Sequence, residues 1–189
     1  LTFDDGPHAE MTPRVLDLLK KNDVKATFFL IGRNAEQSPE LVRRMVDEGH
    51  IVANHTFSHR GVFPLSSAAT VADELRRCND TLYNIIGRRP KLFRPPFGVT
   101  NPIIGRVVND MKFRTIGWSI RSLDTVESRS RTSVCRKVLN SLRPGAVILL
   151  HDRCANSPEL LEMLISGIRD KGYRVVSITE MFNIDAYES

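Results

Sequence analysis

His55 and His59 stand four residues apart in the run Asn54-His55-Thr56-Phe57-Ser58-His59. On a helical turn that spacing turns both imidazoles to one side, a two-point grip on a borderline-soft cation. The pair alone is weak evidence, because such spacing arises by chance and a helix start with a solvated histidine at each end is the readier reading. A second candidate opens the chain, Leu1-Thr2-Phe3-Asp4-Asp5-Gly6-Pro7. Its adjacent carboxylates follow an apolar run and precede a Gly-Pro turn. Partly desolvated, they would repel each other unless a cation or an arginine compensates. The plain alternative is an Asx-type turn that ends a strand. If one aspartate completed a site of two histidines and one carboxylate, the other would stand beside a metal-activated water.

Elements of a particular kind are needed to bring these segments together. Short apolar runs alternate with amphipathic stretches along the chain: Leu1–Phe3, Ala26–Ile31, Ile51–Ala53, Lys91–Phe93, Phe113–Trp118, Ala146–Leu150 and Arg174–Ile178. Several are nearly continuous in β-branched and aromatic residues, the pattern of strands buried on both faces. Helices are predicted over Thr12–Lys21, Pro39–Glu48, Ser67–Ile86, Asn101–Asp110, Ser130–Ser141 and Ser157–Lys171. Ser66 or Ser67 is the expected cap of the longest and Gly87 its stop. Strand–helix alternation of this kind predicts a parallel α/β architecture. Asp4, Asp5, His55, Arg94, Asp124 and His151 all fall at or just beyond strand C-termini. A barrel gathers such ends on one rim, whereas an open sheet would spread them along a crevice. A closed or partly closed barrel is the expectation.

Taken in order, Thr2-Phe3-Asp4-Asp5-Gly6-Pro7, His55-Thr56-Phe57-Ser58-His59, Arg94-Pro95-Pro96-Phe97-Gly98 and Leu149-Leu150-His151-Asp152 resemble the motifs of the polysaccharide deacetylases of the NodB-homology type, carbohydrate esterase family 4. The resemblance spans essentially the whole chain, and implies one domain over residues 1–189 with a distorted (β/α)7 barrel fold. It implies metal ligation by Asp5, His55 and His59, with zinc the foremost ion and cobalt, nickel or manganese as alternatives. It implies Asp4 as catalytic base, Arg94 as the arginine that holds it, and His151 as the acid that protonates the leaving amine. Asp124 would orient that histidine, and the Phe97 backbone N–H would assist the oxyanion. Amide hydrolysis needs these parts: a nucleophile at neutral pH, oxyanion stabilisation, and a proton for nitrogen. The implied substrate is an N-acetylglucosamine-containing glycan. An O-acetyl esterase on a xylan-type polysaccharide and a non-catalytic carbohydrate-binding relative are the alternatives.

The segment Trp118-Ser119-Ile120-Arg121-Ser122-Leu123-Asp124-Thr125 departs from the family pattern. Arg121 stands where the family has an aspartate, and Thr125 where it has tryptophan. Phe97 replaces the usual tyrosine. The substrate wall is therefore expected to be unusual. Trp118 reads as core before sugar platform; His8 and His50 read as solvated surface groups.

Bulk properties exclude other classes. The 189 residues are 41% hydrophobic and 26% charged, an ordinary globular balance. No apolar run reaches the roughly 18–20 residues of a membrane span. The chain opens on a strand, so an N-terminal segment is expected upstream, where an export signal or anchor would lie. The family suggests an extracytoplasmic bacterial glycan as workplace. The net charge of +5 is scattered, without the aromatic interleaving of a nucleic-acid platform, and reads first as a solvated basic surface, with affinity for anionic polymers such as cell-wall material as the alternative. Cys78, Cys135 and Cys154 allow at most one disulfide.

Overall fold

The computed structural model describes residues 1–188. Seven parallel strands form one sheet in the order β5-β4-β3-β2-β1-β7-β6. They are β1 (Thr2–Asp4), β2 (Thr27–Leu30), β3 (Ile51–Asn54), β4 (Leu92–Phe93), β5 (Arg114–Thr115), β6 (Ile120–Arg121) and β7 (Ile148–His151). The edge strands β5 and β6 are neighbours in sequence but not in the sheet, so the barrel is curled and left open between them. Helices α1 (Met11–Lys21), α2 (Gly32–Gln37), α3 (Pro39–Asp47), α4 (Ala68–Ile86), α5 (Pro102–Asp110), α6 (Arg131–Asn140), α7 (Ser157–Asp170) and α8 (Ile178–Phe182) follow the strands.

Strand alternation sends the apolar residues of β1 and β2 to opposite faces of the sheet. Phe3 and Phe28 face the helical layer and stack with ring centroids 5.0 Å apart, joined there by Val15, Leu16, Leu19, Leu161 and Leu164. Fully burying each such side chain contributes about 1.5–3 kcal/mol. Phe29, one residue on, points the other way and joins Ile51, Ala53, Leu92 and Ile116 inside the curl. Thr2 and Asp4 share that inward face, since Asp4 is the register partner of Phe29 on one side and of His151 on the other.

Helix ends follow their side chains. Ser67 caps α4 by accepting the Thr70 N–H, and Gly87 ends it in the left-handed conformation at φ 68°. Asn101 accepts the N–H groups of both Ile103 and Ile104 ahead of α5.

Two sequence expectations are corrected. Arg174–Ile178 is not a strand: Tyr173 and Val175 pack on the main core, but Ser177 caps α8 through the Glu180 N–H. The run Phe113–Trp118 is strand only over Arg114–Thr115, because the Ile116 and Gly117 carbonyls turn to the Arg94 guanidinium. The seventh strand is instead Ile120–Arg121, inside the segment that departs from the family pattern.

Candidate active site

Polar residues converge where β1, β3 and β7 end. Asp4 closes β1, 4% exposed. The Arg94 guanidinium, fully buried, donates from Nη1 to Asp4 Oδ1 at 2.7 Å and to Thr2 Oγ1 at 2.8 Å. Its Nε reaches the Ile116 carbonyl at 2.9 Å and its Nη2 the Gly117 carbonyl at 2.8 Å. The plane lies 4.1 Å over the Phe29 ring. A buried ion pair is tolerable when its remaining donors find partners, and here each guanidinium nitrogen has an acceptor. Asp4 is thus held in one orientation, with Oδ2 turned toward His55.

Asp5, His55 and His59 form a separate cluster whose candidate ligand atoms all lie within 4.8 Å of one another. Asp5 Oδ1 is 3.5 Å from His55 Nε2 and 3.4 Å from His59 Nε2. His55 Nδ1 lies 2.7 Å from the Arg94 carbonyl, which can only accept. The proton of a neutral ring therefore sits on Nδ1, and the Nε2 lone pair faces the Asp5 carboxylate. A divalent cation between them would satisfy both acceptors at once, so the donor set fits a metal. Burial works against the ionised Asp5, but the His55, His151 and His59 rings outweigh it and hold its carboxyl well below the usual range. Burial, then the charge of His55, lowers the His59 pKa. An ionised Asp5 and neutral His55 and His59 are the forms that ligate metal.

The histidines do not ride on a helical turn, contrary to the expectation from their spacing. They occupy an irregular loop after β3 in which Thr56 and His59 adopt left-handed backbone, φ 66° and 48°. For a β-branched residue that conformation is strained and must be imposed by its surroundings. Asn54 Oδ1 accepts the Thr56 N–H at 2.8 Å, and Thr56 Oγ1 accepts the His59 N–H at 3.1 Å. Glu74 of α4 takes the Ser58 N–H and hydroxyl at 2.8 and 2.6 Å.

His151 ends β7. Its Nδ1 is 2.9 Å from Asp124 Oδ1, and its backbone N–H donates to Asp124 Oδ2 at 2.7 Å. Burial disfavours the charged ring, but the Asp124 hydrogen bond and charge outweigh it and raise the His151 pKa. Its Nε2 faces inward, 4.0 Å from Asp5 Oδ2. Phe97 adopts φ 60° and leaves its N–H without an acceptor among the described residues. Its ring packs edge-on against His59, centroids 4.8 Å apart.

These groups line or back a cleft of about 510 Å³. Asp4, Asp5, His55, His59, Phe97 and His151 form its wall, with Arg94 and Asp124 standing behind to hold Asp4 and His151. Arg121 and Thr125, the departures from the family pattern, line it as well. So does Trp118, half-buried, whose ring lies so close to Gly98 that a Cβ there would come within 2.1 Å. It is core on one side and cleft wall on the other.

Arg153, which motif reading passed over, donates from Nε to Asp5 Oδ2 at 2.9 Å. Its position two residues beyond His151 was the available signal. Asp152, fully buried, accepts from the Thr12 hydroxyl at 2.5 Å, and burial raises its pKa to about 7. His50 is not a surface group: it is 3% exposed, and Nδ1 accepts the Ala26 N–H at 3.2 Å. His8 is exposed as expected, its Nδ1 accepting the Glu10 and Met11 N–H groups. Cys78, Cys135 and Cys154 are free thiols.

Known proteins resemble this chain along nearly its whole length. The family model described as polysaccharide deacetylase matches residues 1–116. The peptidoglycan-N-acetylglucosamine deacetylase of Bacillus cereus is 36% identical over 186 residues, covering 96% of this chain and 67% of that protein. The peptidoglycan-N-acetylmuramic acid deacetylase PdaA of Bacillus subtilis is 34% identical over 184 residues, covering 96% and 70%. The crystal structure of the Bc1960 peptidoglycan N-acetylglucosamine deacetylase superposes with a TM-score of 0.92 at 33% identity, covering 99% of this chain and 88% of that one. With the four motifs gathered on one rim of a curled seven-stranded sheet, this chain belongs to the polysaccharide deacetylase family of carbohydrate esterase family 4, with the NodB-homology fold.

Proposed function

We propose that this polysaccharide deacetylase removes N-acetyl groups from N-acetylglucosamine-containing glycans of the bacterial cell wall, with one divalent metal, zinc foremost, held by Asp5, His55 and His59. The observation that carries the reading is the placement of Asp4 and His151. They lie side by side on neighbouring strand ends, flank the Asp/His/His cluster, and each has a dedicated orienting partner. A module that only binds sugar has no use for an oriented base and an oriented acid.

When bound, the metal supplies Lewis-acid activation of water and of the acyl oxygen. Asp4 accepts the proton of the attacking water on Oδ2, since Arg94 occupies Oδ1. The Phe97 N–H is directed to the developing oxyanion, where a positioned donor stabilises charge better than water does. His151 carries its proton on Nε2 and delivers it to the departing nitrogen, while Asp124 supports the imidazolium from Nδ1. Each role is filled by a group already held in place, so little reorganisation accompanies the reaction.

The test is acetate release from N-acetylglucosamine oligomers and from acetylated xylan, with and without chelator. Chelator-sensitive release from the amide substrate is expected. Release from acetylxylan alone would make the protein an O-acetyl esterase. Inertness of metal-loaded protein toward both substrates would overturn the reading. Cell-wall substrate would place the working enzyme outside the cytoplasm; among the described residues, no helix is long and apolar enough to cross a membrane.

A further inference from the structure

The two oxygens of the Asp5 carboxylate have different neighbours. Oδ1 lies 3.5 Å from His55 Nε2 and 3.4 Å from His59 Nε2. Oδ2 accepts from Arg153 Nε at 2.9 Å, the closest donor to that carboxylate among the described residues. The Asp5 backbone is held separately. Asn34 donates from Nδ2 to its carbonyl at 2.9 Å, and its φ is 72°. What remains to be set is the direction of the carboxylate, and Arg153 is placed to set it.

Arg153 reaches Asp5 from a pinned turn. It lies between His151, which ends β7, and Ser157, which starts α7. Asp152 just before it is fully buried and accepts the Thr12 hydroxyl of α1 at 2.5 Å. On the other side, the Ser157 N–H donates to the Cys154 carbonyl at 2.9 Å. Between these anchors the half-exposed Arg153 side chain lines the cleft.

A carboxylate that commits one oxygen to a guanidinium offers a cation the other. An outer partner of this kind fixes a ligand's orientation, and losing it weakens metal binding. Resting on the metal-dependent deacetylase reading above, we propose that Arg153 is a positioning residue for the metal. It occupies Oδ2 of Asp5 and reserves Oδ1, the oxygen facing both histidines, for the ion. A positive charge that only stood nearby would have the opposite effect, repelling the ion. Here the charge is paired with Asp5 and half-open to water, so repulsion is small and orientation sets the sign.

Zinc affinity is measured without substrate, by competition with a chromophoric chelator, for the parent protein, Arg153→Gln and Arg153→Lys. Arg153→Gln is expected to bind zinc about tenfold more weakly. Arg153→Lys should fall between the two, because an ammonium keeps the charge but not the planar fork. Cobalt-loaded protein gives a second readout. The visible spectrum should change in Arg153→Gln, whose Asp5 is free to present either oxygen or both. Circular dichroism of the metal-free proteins checks the fold. If Arg153→Gln does not fold, Arg153→Lys against the parent decides by the same sign. Zinc binding that is unchanged or tighter in the variant, or an unchanged cobalt spectrum, would overturn the proposal. A parent protein that binds no zinc would overturn it together with the metal assignment. Failure of the deacetylase reading is seen separately, as absence of acetate release by the parent with zinc bound.

Discussion

The Asp124 carboxylate holds His151 at two points, with Oδ1 2.9 Å from Nδ1 of the ring and Oδ2 accepting the backbone N–H at 2.7 Å. The side chain is thereby fixed relative to the strand that carries it, and burial alone would depress a pKa that Asp124 raises. An acid is active while protonated, so a raised pKa extends activity toward higher pH. In Asp124→Asn the charge is gone and the burial stays, so the basic limb of the kcat profile should move to lower pH. A fall in kcat of about a hundredfold is expected from loss of an oriented acid. A basic limb that does not move would contradict the pairing.

Arg94 is predicted to be a stability determinant as well as a positioning one. Arg94→Met leaves Asp4 buried without its partner, which should cost about 3–5 kcal/mol in urea unfolding. Adding Asp4→Asn removes the orphaned charge and should recover part of that loss. A single-variant loss below about 1 kcal/mol would mean that Asp4 finds another partner or water.

His50 should make the protein sensitive to acid at a site remote from the chemistry. Burial pushes its pKa down to about 4, whereas an unfolded histidine titrates near its ordinary 6.5. Between those values the unfolded chain binds a proton that the folded one refuses. Stability is thus present above pH 6.5 and lost as pH falls toward 4, by up to about 3 kcal/mol. Unfolding midpoints of His50→Gln, which cannot titrate, should fall less over that window. Parallel curves for the two proteins would remove His50 as the source.

Gly98 has φ 70° and faces the Trp118 ring at a distance that leaves no room for a Cβ. Gly98→Ala should destabilise by about 1–3 kcal/mol and displace the cleft wall. Trp118 is the sole tryptophan, so its fluorescence reports the displacement directly. An unchanged emission spectrum and unchanged stability would show that the ring gives way freely.

Much of the molecule was legible because its signals are local. The apolar runs of β1, β2 and β3 are buried on both faces, and Gly87 ends α4 by the conformation that glycine permits. The motif residues fall at strand ends, and the structure gathers them on one cleft. What was not legible depends on distant partners. The histidine loop is bent by Glu74 and by Asn54, whose Nδ2 bonds to Leu75 and Asn79 of α4, so a helical spacing rule misjudged its shape. The strand expected over Phe113–Trp118 stops short because the Ile116 and Gly117 carbonyls go to Arg94, 22 and 23 residues earlier. His50 looked solvated because the Ala26 N–H that makes its burial tolerable lies 24 residues away. Arg153 belongs to no motif, yet it touches the central carboxylate.

The central claim is that Asp4 serves as base beside a metal held by Asp5, His55 and His59. The most direct measurement pairs metal content with single-turnover acetate release from an N-acetylglucosamine oligomer, for the parent protein and Asp4→Asn. One equivalent of divalent metal retained in both, with release slowed about a thousandfold in the variant, is the predicted result. Release by Asp4→Asn at the parent rate, or by protein stripped of metal, would contradict it.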